Sequence, residues 1–228
     1  MSAPAVDEIV SALKAHGNWG NVEGMARFGI TSKKVLGVST PVLRGLAKRI
    51  GKNHKLAAGL WKTGILEARI LAAFVDEPGR VTAAQMDRWA SGFDSWAVCD
   101  GVCIHLFVDT PYAHGKAALW SSDEREFVRR AGFALMACLA VHDRKAPDRQ
   151  FERFFPSIRR AALDERNFVK KAVNWALRQI GKRNAGLNRK AIRLAESIRR
   201  MDSKSARWIA ADALRELKSR DVQKKVRK

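Results

Sequence analysis

The stretches EFVRRAGFALMA (126–137) and NFVKKAVNWALR (167–178) align residue for residue, without a gap, 41 positions apart. Each runs aromatic, apolar, basic, basic, Ala, and then continues with apolar residues three and four apart. That spacing is the stripe of a helix whose one face is buried. The same periodicity continues outward through DEREFVRRAGFALMACLAVH (123–142), DRQFERFFPSIRRAALDE (148–165) and RNFVKKAVNWALRQIGKR (166–183). Each of these three reads as a helix.

Toward the N-terminus, STPVLRGLAKRIG (39–51) offers Ser39 or Thr40 as a cap, Pro41 in the first turn and Gly51 as a stop. VTAAQMDRWASGF starts at a Thr82 cap and stops near Gly92. NRKAIRLAESIRR and SKSARWIAADALRELKSR close the chain, and LEARILAAFV (66–75) and ARWIAADALREL (206–217) are weaker echoes of the repeat. Alternating Val and Ile runs between turn dipeptides are absent, so the chain is expected to be all-α. A period near 40 with two helices per unit predicts a right-handed α-solenoid of HEAT-like repeats, with an ordinary helical bundle as the alternative. The expected organisation is one domain over 1–228, with about 222–228 as a disordered basic tail.

The chain has 228 residues, 43 Lys and Arg against 23 Asp and Glu, and a formal charge of +20. Residues 1–124 hold 14 basic against 12 acidic residues, a net of +2, and residues 125–228 hold 29 against 11, a net of +18. So uneven a distribution is the footprint expected for a polyanion partner, because phosphates neutralised by Lys and Arg release condensed counterions, with a solvated basic surface or an acidic-membrane binder as the alternatives. In a solenoid, equivalent repeat positions share one surface. The equivalent pairs Arg129/Arg130 and Lys170/Lys171 therefore form a basic stripe along one side of the array that suits a duplex backbone, and they are, with Arg178, the expected DNA-binding residues.

Other classes are excluded by their missing signals. No window approaches 18 uninterrupted apolar residues, so no membrane span is expected. The N-terminus has early acids and no basic leader, which argues against a secretory signal. Cys99, Cys103 and Cys138 have no disulfide-scaffold spacing and suit a reducing, cytoplasmic setting. Cys99 and Cys103 share a helical face, but His105 does not complete a tetrahedral set, so these are read as buried thiols and no metal is expected. No phosphate-binding glycine loop, H-E-x-x-H or nucleophile turn is present, and no cofactor is expected.

What remains is FDSWAVCDGVC (93–103), which sets Trp96 and Asp100 four apart on one helical face among apolar residues. A carboxylate in such a setting is costly without a purpose or a partner. The plainer alternative is a core Trp and a capping or ion-paired Asp. Trp175 then recurs in the later repeat, on the helix that carries Lys170 and Lys171.

With MARFGI, LGVSTPVLRGLAKRIG, LWKTGILEARILAAFV, FDSWAVCD, FVRRAGFALM and FVKKAVNWALRQIGK in place, the chain resembles the HEAT-like-repeat DNA glycosylases of alkylation repair, the bacterial AlkD-type family. The likeness runs over roughly residues 5 to 220. It implies a catalytic set of two Trp, one Asp and one Arg, which falls on Trp96, Asp100, Arg130 and Trp175. Members often carry a Tyr just before the Met of the first motif, near the lesion, and here that place is Gly24.

The implied substrate is double-stranded DNA containing alkylated purines such as 7-methylguanine or 3-methyladenine, acted on by a bacterial, nucleoid-associated monomer. An alkylated base already carries a positive charge and leaves without a general acid. Its departure leaves an oxocarbenium-like sugar, which a lone carboxylate stabilises while it orients water. Flanking Trp faces add cation–π attraction of about 0.5–2 kcal/mol each. The family likeness implies that a concave face grips the DNA backbone and that the base stays stacked, without flipping into a closed pocket. The competing expectation is a non-catalytic HEAT-like scaffold for nucleic acid or protein.

Overall fold

Helices begin where the sequence supplies capping oxygens. The side chains of Asn18, Asn53, Thr82, Ser95, Asn184 and Ser203 each accept from the backbone N–H three residues on, which satisfies one of the orphan donors of a first turn. Ser39 occupies the N-cap of the helix that carries Pro41 in its first turn, and Gly51 ends that helix at φ 74°. The computed structural model describes residues 4–227. Among these residues every regular element is helical and no strand occurs.

The chain divides into two compact units, residues 1–111 and 112–228, where the repeat pattern predicts a single domain. The first unit holds α1 (Val6–Ala15), α2 (Trp19–Arg27), α3 (Thr40–Ile50), α4 (His54–Lys62), α5 (Leu66–Val75), α6 (Ala83–Ser91) and α7 (Trp96–His105). Helix α5 is central, packing on α3, α4 and α7. Trp61 and Trp89 stack at 4.2 Å between ring centroids, Phe93 meets Trp61 edge-on, and the Arg69 guanidinium lies 4.9 Å over Trp61. These flat rings close the layer between α4 and α6.

The second unit holds α8 (Ala113–Trp120), α9 (Glu126–His142), α10 (Asp148–Glu152), α11 (Phe155–Ala161), α12 (Asn167–Gly181), α13 (Ala185–Arg199), α14 (Lys204–Leu217) and α15 (Arg220–Val226). Helix α9 packs against α8 and α12, and α12 against α14. Gly132 lets α9 approach the end of α8. A Cβ there would lie 2.5 Å from the Ser121 backbone nitrogen, closer than atoms tolerate.

Two expectations are corrected here. The single helix read over 148–165 is two helices, because Pro156 lacks an N–H and its ring excludes a continuing turn. The chain restarts with that proline in the first turn of α11. The tail read as disordered from about 222 is helical through 226, with Val222 and Val226 buried and α15 packed on α13 and α14. Burial of those two apolar side chains offsets the cost of ordering the segment. Residue 228 lies outside the described residues.

The loops that open the two aligned repeats hold the second unit's layers together. Asp123-Glu124-Arg125 and Asp164-Glu165-Arg166 are themselves 41 apart, and each Asp accepts from its own Arg backbone and guanidinium. Arg129 reaches forward to Asp164 at 2.8 Å, and Arg166 reaches back to the Glu124 carbonyl at 2.6 Å. Ser205 continues the ladder by donating to the Asp164 carbonyl. Burial opposes ionisation of Asp164, but hydrogen bonds from Arg166 and Arg129 outweigh it and hold the carboxyl at about 2.

Candidate active site

Trp96 and Asp100 belong to the first unit. Ser95 caps α7, so Trp96 is its first residue and Asp100 lies one turn further on the same face. Both side chains are half-buried. The Trp96 indole Nε1 donates to the Phe28 carbonyl at 3.0 Å, across 68 residues of sequence. That bond fixes the ring's orientation against the end of α2, while the Phe28 side chain itself is 74% exposed. Gly101 comes next, on the inner side of α7, and lies against Ile70 of α5.

Phe28 is the site residue that sequence reasoning missed. MARFGI contains it, but the lesion-side position falls by resemblance on Gly24, one helical turn before it. A Cβ at Gly24 would meet nothing within 4 Å. What the structure sets against the Trp96 indole is the backbone carbonyl of Phe28. Only the long-range hydrogen bond identifies it, and no local pattern carries that signal.

The second unit holds Arg130 and Trp175. Arg130 is 6% exposed and donates from Nη1 to the Phe168 carbonyl at 2.6 Å. It therefore ties α9 to the first turn of α12, the helix of Trp175. Trp175 is half-buried, one turn after the exposed Lys171, and Lys170 lies 5.7 Å over the exposed Trp208 ring.

Arg129 and Arg178, expected to meet phosphate, are committed elsewhere. All three guanidinium nitrogens of Arg129 donate internally, to Asp164, the Asp123 carbonyl and the Ser122 carbonyl. Arg178 pairs with Glu216 and lies 3.6 Å from Asp212. Salt-bridged Arg carries little field outward; of the predicted cations Lys171 is exposed, and Lys170 is half-buried with its ammonium over Trp208.

The thiols of Cys99, Cys103 and Cys138 are buried, and the His105 ring lies 4.6 Å from Phe74. Among the described residues no group of three or more His, Cys, Asp or Glu side chains is placed to hold a metal. Nor is any helix there long and apolar enough to cross a membrane.

Helix pairs repeating in register, with a basic helix face and a Trp–Asp pair, define a HEAT-like-repeat fold. A solved structure from a family described as related to the HEAT-like repeat DNA glycosylases with affinity for branched DNA structures has the same fold. Its TM-score is 0.78 at 20% identity, over 94% of this chain and 96% of that chain. A designed armadillo repeat protein in complex with a (KR)4 peptide is far more distant, with a TM-score of 0.39 at 12% identity over 81% and 88% of the two chains. No curated protein matches the chain. Residues 9–217 match the model of the DNA alkylation repair enzymes, and the chain belongs to that family.

Proposed function

We propose that this protein is a DNA glycosylase of base excision repair that hydrolyses the N-glycosidic bond of cationic alkylated purines in duplex DNA. The observation that carries the reading is the Trp96–Asp100 face at the start of α7, with the Trp96 ring oriented by its hydrogen bond to Phe28. Asp100 supplies one negative charge and Trp96 supplies a π face. The reaction generates a cation at C1′ of the deoxyribose and needs water delivered there.

In the proposed step the C1′–N bond breaks, and its electron pair neutralises the base, which leaves uncharged. Asp100 stabilises the oxocarbenium-like sugar and orients a water whose oxygen bonds to C1′. The proton of that water passes to solvent or to the carboxylate, and the products are free base and an abasic site. Trp96 contributes cation–π attraction. Arg130 is a positioning residue, acting through the start of α12. Lys170 and Lys171 are the proposed phosphate contacts.

Methylated duplex and uracil-containing duplex, incubated separately with enzyme, test the substrate class. Release of 7-methylguanine or 3-methyladenine with uracil left in place supports the reading, and release of uracil contradicts it. A second reading has a specific observation behind it, since the structural neighbour's family has affinity for branched DNA. On that reading the chain is a non-catalytic binder of branched DNA. Tight junction binding with no base release from any methylated duplex would favour it.

A further inference from the structure

Helix α15 lies beyond the 9–217 stretch that matches the family and plays no part in the proposed chemistry. Ser219 caps it, and Val222 and Val226 turn inward. Gln223 pins it by donating from Nε2 to Asn188 Oδ1 at 2.9 Å and to the Leu217 carbonyl at 2.7 Å. With its inner side so fixed, the helix has one way of facing outward.

Arg220, Lys224 and Arg227 lie at i, i+4 and i+7, a single stripe on the side away from the two valines. With Lys218 and Gln223 they line an open groove of ≈ 500 Å³ whose lining includes no carboxylate. Lys218 pairs with Glu196 at 2.8 Å. Among the described residues, no carboxylate pairs with Arg220, Lys224 or Arg227. Asp221 is exposed at the start of the helix, about a quarter turn away from the stripe. The contrast with Arg129 and Arg178, whose charge is consumed by carboxylates, is direct.

We propose that this stripe is a second phosphate-binding surface, which holds the sugar-phosphate backbone of duplex DNA through Arg220, Lys224 and Arg227. The proposal rests on the proposed DNA binding and extends it to a segment outside the family match. At 1.5 Å per residue the stripe runs about 10 Å along α15. One strand of B-DNA presents a phosphate about every 3.4 Å of axis, so three cations face about three phosphates. Guanidinium groups at both ends suit bidentate phosphate contact, and an open groove lined by four cationic side chains and one amide suits a phosphate backbone.

The test is the salt dependence of duplex binding by the full chain, for wild type and for Arg220→Gln/Lys224→Gln/Arg227→Gln. The variant keeps Val222, Gln223 and Val226, and so keeps the contacts that dock the helix. Its slope of log K against log salt should be shallower by about 0.9 per lost contact, about 2.7 in all, alike on methylated and unmethylated duplex. Lys225→Gln, off the stripe, should leave the slope unchanged. A salt-dependent wild type with an unaltered triple-variant slope overturns this proposal alone, whereas a wild type that binds no duplex overturns the DNA reading beneath it. If the triple variant keeps its slope on DNA but loses binding to phosphatidylserine vesicles that the wild type binds, the stripe is a membrane contact and the proposal fails.

Discussion

Helices α9 and α12 open with the same pattern, and their paired basic residues meet opposite fates. Arg129 and Arg130 of α9 are drawn inside, the first into the Asp164 ladder and the second onto the Phe168 carbonyl. Of their counterparts on α12, Lys171 is exposed, and Lys170 is half-buried with its ammonium over the Trp208 ring. The difference lies in the layer stacked on each helix. Beyond α9 that layer supplies Asp164 and an accepting carbonyl, while beyond α12 it supplies Trp208. Formal charge and available charge are therefore distinct quantities. Residues 112–228 hold 30 Lys and Arg against 13 Asp and Glu, yet Arg129, Arg166 and Arg178 are spent on internal carboxylates.

Exchanging residues between the repeats should expose that asymmetry. The largest effect is expected from Gly132→Val, which installs the residue that α12 carries at the equivalent position, Val173. The added Cβ alone would lie 2.5 Å from the Ser121 nitrogen, and forcing α9 away from α8 should cost about 3 kcal/mol or more. Thermal unfolding of the variant measures it, and an unchanged midpoint would mean that α8 and α9 are not so closely set.

Asp164→Asn should come next, at about 2–3 kcal/mol. It strips two guanidiniums of a carboxylate that is 6% exposed, and the low end of the buried-pair range applies because both Arg are partly exposed. The same residue predicts a pH signature. Its folded pKa lies below the ordinary 3.8, at about 2. The stability it contributes is thus fully present above pH 3.8 and is lost as pH falls toward 2. Acid titration of wild type should show a loss in that window that Asp164→Asn lacks.

A third comparison separates scaffold from grip. Lys170→Ala/Lys171→Ala should reduce the salt slope of duplex binding by about 2 with little change in stability. Arg129→Ala should lower stability and leave that slope intact. The reverse pattern would put the phosphate contacts on α9. The smallest effect belongs to Gly24→Ala. It lies in the middle of α2 with open space around it, so the variant should be more stable by about 0.5–1 kcal/mol.

The repeat and the helical class are legible in the sequence because both are periodic, and a 41-residue echo needs only the chain itself. The Trp96–Asp100 face is legible for the same reason, four residues being one turn. The hidden features depend on partners distant in sequence. Arg129 becomes structural through Asp164, 35 residues on, and Phe28 joins Trp96 across 68. Helix α15 reads as a basic tail because its apolar content is two valines, and only the surface of α13 and α14 gives them somewhere to be buried. The split of 148–165 is different in kind, since Pro156 in the middle of the pattern is a local signal that marks the break.

The central claim is that Asp100 performs the chemistry that the basic surface brings DNA to receive. Its most direct test is single-turnover release of 7-methylguanine from methylated duplex at saturating protein, for wild type and Asp100→Asn. The Asn preserves size, replaces one accepting oxygen with a donating amide, and removes the charge proposed to oppose the oxocarbenium ion. A fall of about 10²-fold or more, equivalent to about 3 kcal/mol, with duplex affinity retained, is the predicted result. Release at the wild-type rate would contradict it and leave Asp100 a structural carboxylate.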